Sequence, residues 1–134
     1  TTDLFHLAAI YDLAVAKGPA ERVNLVGTRN VNELARSIEQ LRRYNYISTC
    51  YVAGKRTGRI LETELSHAAG FRNHYEETKY LAEVEVEDLK EQLPVTIFRP
   101  AVVVGDHELR DVRDRSGRVD RLGDRGRPGV CRAV

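Results

Sequence analysis

The chain has 134 residues, a formal net charge of +1, 42% hydrophobic and 31% charged residues, enough for one modest core and too short for two. That balance excludes a polybasic nucleic-acid binder, and no apolar run approaches the ~20 residues that carry a helix across a bilayer. Cys50 and Cys131 stand far apart, with no second cysteine at metal-ligand or redox spacing, so both are expected to be free thiols in a reducing cytoplasm, with no metal site.

No charged flank, apolar stretch and cleavage site open the chain. Thr1-Thr2-Asp3-Leu4 runs straight into a strand-like segment, as expected of a cut within a longer protein. Leu4-Phe5-His6-Leu7-Ala8-Ala9 is almost wholly apolar and predicts a strand buried on both faces of a parallel sheet. From about Ala20 to Leu41, the residues Val23, Val31, Leu34, Ala35, Ile38 and Leu41 recur at three- and four-residue steps between charged positions and predict an amphipathic helix. Tyr44-Asn45-Tyr46-Ile47-Ser48-Thr49, rich in aromatic and β-branched residues, predicts a second strand.

Residues 54–70 carry scattered Gly, Thr and Ser without a period and predict a loop. A second helix is expected from about Tyr75 to Gln92, with Leu81, Val84 and Leu89 near the helical repeat and Pro94 as its stop. Val95-Thr96-Ile97-Phe98 predicts a third strand. Strands alternating with long helices imply βαβ units and a parallel sheet.

After Asp106 the grammar changes. Residues 107–134 hold eight Arg, no Lys and five acids, a charge of +3 that leaves −2 for the first 106 residues. With few large apolar side chains this tail is expected to be disordered. The chain thus divides into a partial domain over residues 1–106 and an Arg/Gly/Asp-rich tail over 107–134, whose vocabulary suggests an out-of-frame reading of a GC-rich gene.

Tyr75 and Lys79, at i and i+4 on the second helix, share one face about a turn apart. An ammonium there stabilises a phenolate and lowers a tyrosine pKa from its reference near ~10, so Tyr75 could exchange a proton with a carbonyl or alcohol oxygen. Ser48-Thr49 ends the second strand, and ligands of parallel sheets bind beyond the carboxyl ends of strands. A hydroxyl there can hydrogen-bond the oxygen that Tyr75 protonates. A strand-end Ser or Thr is also an ordinary turn former, and Tyr-x-x-x-Lys alone is a weak signal.

Five ordered segments carry more. They are His6-Leu7-Ala8-Ala9, Asn24-Leu25-Val26-Gly27-Thr28-Arg29-Asn30-Val31, Ile47-Ser48-Thr49-Cys50-Tyr51-Val52-Ala53-Gly54, Tyr75 with Lys79, and Phe98-Arg99-Pro100 leading to Gly105. In identity, order and spacing they resemble the extended short-chain dehydrogenases/reductases of the NAD-dependent epimerase/dehydratase superfamily. The Ser-Thr pair and Arg-Pro-Ala-Val-Val-Val-Gly-Asp resemble the male-sterility or acyl-thioester reductase branch more than the sugar epimerases.

The resemblance implies an α/β fold, a partial Rossmann-type doubly wound parallel sheet lacking its N-terminal strands. It implies a fragment of an NAD- or NADP-dependent oxidoreductase acting on a carbonyl or alcohol, with acyl-thioester or fatty acyl substrates. On that reading Thr49 orients the substrate oxygen, Tyr75 is the general acid or base, and Lys79 lowers its pKa and holds the nicotinamide ribose. Leu7, Ala8 and Ala9 pass beneath the cofactor, Asn24 contacts it or steadies the site, and Phe98 and Pro100 flank the nicotinamide. Ala8 and Ala9 are equally good packing residues, and Asn24 could be a polar residue at a helix N-terminus.

The family's strand, Gly-rich turn and helix, which bring pyrophosphate to a helix N-terminus, have no counterpart before Leu4. Gly123, Gly126 and Gly129 reproduce the glycine spacing, but they follow no strand, precede no helix and surround Pro128. The first strand is expected to present an unpaired apolar edge, a template for self-association. Two other functions remain open: a nucleotide-sugar epimerase or dehydratase fragment, and a non-catalytic interaction remnant. Nucleic acid is not an expected partner, since the Arg residues alternate with acids and no aromatics interleave for stacking.

Overall fold

The computed structural model describes residues 2–102, and the expectations for the 107–134 tail lie outside them. Strands β1 (Asp3–His6), β2 (Arg43–Ile47) and β3 (Val95–Phe98) form a parallel sheet in the order β1-β2-β3. His6 pairs in register with Tyr46, and Tyr46 with Ile97. Pairing continues past the strand ends, where Ser48 N donates to the Phe98 carbonyl (2.7 Å) and Cys50 N to that of Pro100 (3.1 Å).

Between β1 and β2 a continuous helix, α1, comprises α-helical Lys17–Ala20, π-helical Glu21–Val26 and α-helical Gly27–Ser37. Between β2 and β3 lie a 3₁₀ turn, Cys50–Ala53, and helix α2, His74–Asp88, which runs into a second 3₁₀ turn at Leu89–Glu91. The Asn73 side chain caps α2 by accepting from Glu76 N (2.9 Å), while the buried Glu76 carboxylate accepts from Arg72 N (2.9 Å), a reciprocal arrangement close to a capping box.

The core joins Ala35 of α1, Tyr44 and Tyr46 of β2, and Ala82, Val86 and Leu89 of the α2 segment, with Leu4, Val95 and Ile97 packed against it. Both helices therefore cover the face of the sheet carrying Leu4, Tyr44, Tyr46 and Ile97. The alternate residues Phe5 and Phe98 are 64% and 46% exposed. β1 is thus covered on one face among the described residues, not two. It also ends at His6, so Leu7, Ala8 and Ala9 are exposed and outside the strand. β1 pairs with β2 along one edge.

Helix extents and faces also depart from the periodic reading. α1 stops at Ser37, because Ile38 turns extended (φ −88°, ψ 102°) and lets the chain re-enter the sheet. Its most buried positions are Ala20, Asn24, Thr28, Asn32 and Ala35, while Leu34 is 52% exposed. On α2 the buried positions are Tyr75, Glu76, Thr78, Lys79, Ala82, Glu83 and Val86. Polar side chains occupy the inward stripes, so apolar periodicity locates the helices but misplaces their faces.

Gly54 closes the loop after the Cys50–Ala53 turn. Its φ of +61° lies in the left-handed region, and an added Cβ would sit 2.3 Å from the Gly70 carbonyl oxygen, backbone that cannot swing aside. Gly54→Ala is expected to cost about 2 kcal/mol or more, read as a lower urea midpoint; an unchanged midpoint would show that the loop repacks freely.

Candidate active site

Thr49, Tyr75 and Lys79 meet at the carboxyl end of the central strand. Thr49 follows β2 directly, and Tyr75 and Lys79 face it from the first turns of α2. All three are buried, at 5%, 5% and 3% exposure. Tyr75 lies beside Thr49 and is ringed by two further tyrosines, Tyr11 edge-on at 5.2 Å between centroids and Tyr51 at 6.3 Å.

Burial pushes the Tyr75 phenol above its ordinary value, with the neighbouring Thr49 hydroxyl opposing. This corrects the expectation that Lys79 lowers it. Lys79 points elsewhere, donating to the Tyr46 hydroxyl (3.1 Å) and the Ile47 carbonyl (3.0 Å), with its Nζ 4.6 Å from the Tyr46 ring centroid. Burial lowers the Lys79 ammonium to about 8, the negative Glu83 opposing.

A second layer supports the lysine. Thr28 lies near the Tyr46 hydroxyl, and Thr28 Oγ1 donates to the Asn24 carbonyl (2.7 Å) within the π-helical turn. π-Helical turns recur at functional sites because their wider ladder frees and re-aims backbone carbonyls. His6 Nε2 lies 3.0 Å from the same Thr28 oxygen. Since the single Thr28 proton is already donated, His6 is the donor there, and the neutral Nε2–H tautomer is assigned. Burial first and Lys79 second hold His6 down to about 4.

Asn24 is not at a helix N-terminus. Its Oδ1 accepts from Ile10 N (2.8 Å), and its Nδ2 donates to the Ile10 carbonyl (3.4 Å) and to Thr78 Oγ1 (3.2 Å). The side chain therefore staples the segment after β1 to both helices, which suits the steadying role.

Leu7, Ala8 and Ala9 extend from the end of β1, and Phe98 and Pro100 stand at the end of β3, Phe98 exposed and Pro100 half-buried. They flank Thr49 from the two neighbouring strands. Sequence reasoning missed Tyr46 and Glu83. The i, i+4, i+8 series Tyr75, Lys79, Glu83 would have pointed to Glu83, whereas nothing in the sequence marks Tyr46 apart from its strand neighbours.

Residues 1–122 match the NAD-binding family described as male sterility protein. A fatty acyl-CoA reductase of Drosophila melanogaster is 28% identical, the match covering 61% of this chain and 21% of the fly protein. Among solved structures, the terminal R domain of the myxalamid PKS-NRPS pathway is 30% identical with a TM-score of 0.68, covering 75% of this chain and 26% of that one. UDP-glucuronic acid 4-epimerase from Bacillus cereus, in complex with NAD, is 27% identical with a TM-score of 0.65, covering 77% and 33%. The chain thus spans a fifth to a third of the length of these relatives. With a family match over most of its length and a parallel Rossmann-type sheet, the chain belongs to the male sterility family of NAD-binding proteins.

Proposed function

We propose that this chain supplies the acid/base centre and the nicotinamide-facing strand ends of an NAD(P)-dependent reductase acting on acyl-thioester or other hydrophobic carbonyl substrates. The observation that carries the reading is the clustering of buried Thr49, Tyr75 and Lys79 at the end of the central strand. The residues fit a nicotinamide there: Leu7, Ala8 and Ala9 on one side and Phe98 and Pro100 on the other offer apolar and backbone surface at adjacent strand ends. Lys79 has three donors, two of them engaged, and the third would hold a ribose hydroxyl.

When bound, the nicotinamide supplies the hydride. The substrate oxygen accepts hydrogen bonds from Thr49 and Tyr75. As negative charge grows on that oxygen, the Tyr75 O–H bond breaks and its proton completes the alcohol or, from a thioester, the hemithioacetal whose C–S bond then breaks to release thiol and aldehyde. A pKa above the ordinary phenol value keeps Tyr75 protonated at neutral pH, as a proton donor requires, while the Lys79 ammonium, drawn onto Tyr46 and the Ile47 carbonyl, is left to hold the cofactor rather than the phenolate. The open edge of β1 would be where a further strand pairs.

The likeness to the UDP-glucuronic acid epimerase supports a second reading, a nucleotide-sugar epimerase using the same centre. Following NADPH absorbance with fatty acyl thioesters and, separately, product formation from UDP-sugars separates the two. Acyl-dependent NADPH consumption is expected; UDP-sugar interconversion without net NADPH loss would replace the reductase reading.

A further inference from the structure

We propose that Glu83 is a positioning residue that locks the Thr49 segment and the Arg99-Pro100 turn onto α2, one helical turn beyond Lys79. The proposal rests on the assignment of Thr49, Tyr75 and Lys79 as the acid/base centre. Glu83 sits one turn beyond Lys79 and is fully buried, at 0% exposure. One carboxylate oxygen accepts from the Ser48 hydroxyl. The other takes Arg99 Nε at 2.6 Å and Nη2 at 2.5 Å. Arg99 in turn donates from Nη1 to the Glu62 carbonyl (2.7 Å), reaching into the loop that precedes α2.

A fully buried carboxylate is costly unless paired and hydrogen-bonded. Apolar packing would satisfy this position more cheaply if filling space were its only task. What the carboxylate joins is informative. Ser48 is the residue before Thr49, and Arg99 lies between Phe98 and Pro100, in the strand-end segment to which the backbone of Ser48 and Cys50 is already bonded. One side chain on α2 therefore fixes both strand ends relative to Tyr75 and Lys79 on the same helix. Charge-assisted bonds of this kind are short and directional, as positioning requires.

The groups around the Lys79 ammonium are His6 from β1, the Tyr46 hydroxyl and Ile47 carbonyl from β2, and Glu83 from α2. Glu83 is the negative charge among them and favours the ammonium, against burial. Removing its negative charge should therefore lower the Lys79 pKa, whereas merely loosened packing would hydrate the amine and raise it.

The test is NMR titration of the chain with ¹³C-labelled lysine and tyrosine, which is independent of any turnover or cofactor. In Glu83→Gln, which keeps shape and a hydrogen bond to Ser48, the Lys79 resonance is expected to titrate roughly half a unit or more below its value in the unsubstituted chain. A shift upward toward 10.5 would overturn the proposal and leave Glu83 a packing residue. Ser48→Ala serves if Glu83→Gln does not fold. Loss of the tether should let Thr49 move off the phenol and raise the Tyr75 pKa, while a fall toward 10 would mean loosened packing and contradict the proposal. Either shift can appear in a chain that reduces nothing, so failure of the reductase reading stays distinguishable.

Discussion

Tyr75→Phe is expected to lower carbonyl reduction by about 10²- to 10⁴-fold while leaving NADPH affinity nearly unchanged. The substitution removes one oxygen from a ring that would stay packed against Tyr11 and Tyr51, so fold and binding surface persist and only the proton donor is lost. Thr49 would remain to hydrogen-bond the substrate oxygen, which sets the residual rate. The pH dependence follows from the second member of the pair. Lys79 is held down to about 8, so above that pH the ammonium that would hold the nicotinamide ribose loses its charge and the rate at subsaturating NADPH should fall, in stopped-flow traces, before the phenol itself ionises. A Tyr75→Phe chain with undiminished turnover would remove Tyr75 from the chemistry.

Acid should destabilise the fold through His6. Its folded pKa is about 4 against an ordinary value of 6.5, because an imidazolium would be buried near the Lys79 ammonium. Between those values the unfolded chain binds a proton that the folded chain does not. The contribution is complete above pH ~6.5 and is lost as pH falls toward 4, amounting to about 3 kcal/mol. His6→Gln retains a donor toward Thr28 but cannot titrate. Its urea midpoint should change less than that of the unsubstituted chain between pH 7 and pH 4.5. Parallel acid limbs in the two chains would show that His6 protonates as readily folded as unfolded.

Much of the architecture was legible in the sequence, for identifiable reasons. The three strands are short apolar or β-branched runs bounded by turn residues, and the helices carry enough periodic Leu, Val and Ala to be located. Helical spacing and the rule that strand ends bear ligands made Ser48-Thr49, Tyr75 and Lys79 candidates, but grouping Thr49 with Tyr75 and Lys79 rested on the resemblance to the extended short-chain dehydrogenases. The helix faces were not legible, because at Asn24, Thr28, Asn32, Lys79 and Glu83 the inward positions are polar and satisfied by one another, contrary to the apolar-inside pattern. The π-helical turn at Glu21–Val26 has no residue signature. It is apparent only where Thr28 reaches the Asn24 carbonyl and Asn24 grips Ile10. Leu7, Ala8 and Ala9 looked like strand because they are apolar, yet β1 ends at His6, where pairing with Tyr46 is the last contact in register.

The reversal of Tyr75's expected shift has a similar cause. An i, i+4 lysine lowers a tyrosine pKa only if its ammonium is directed at the phenol. Here Tyr46 and the Ile47 carbonyl draw the ammonium toward the sheet, and burial dominates at Tyr75.

The central claim is that the strand ends around Thr49 receive a nicotinamide. It is tested most directly by titrating the isotope-labelled chain with NADPH and following backbone and side-chain resonances. Saturable shifts should concentrate at Leu7, Ala8, Ala9, Thr49, Tyr75, Lys79 and Phe98 and be lost in Lys79→Met. Shifts confined to other surfaces, or none at millimolar NADPH, would contradict it.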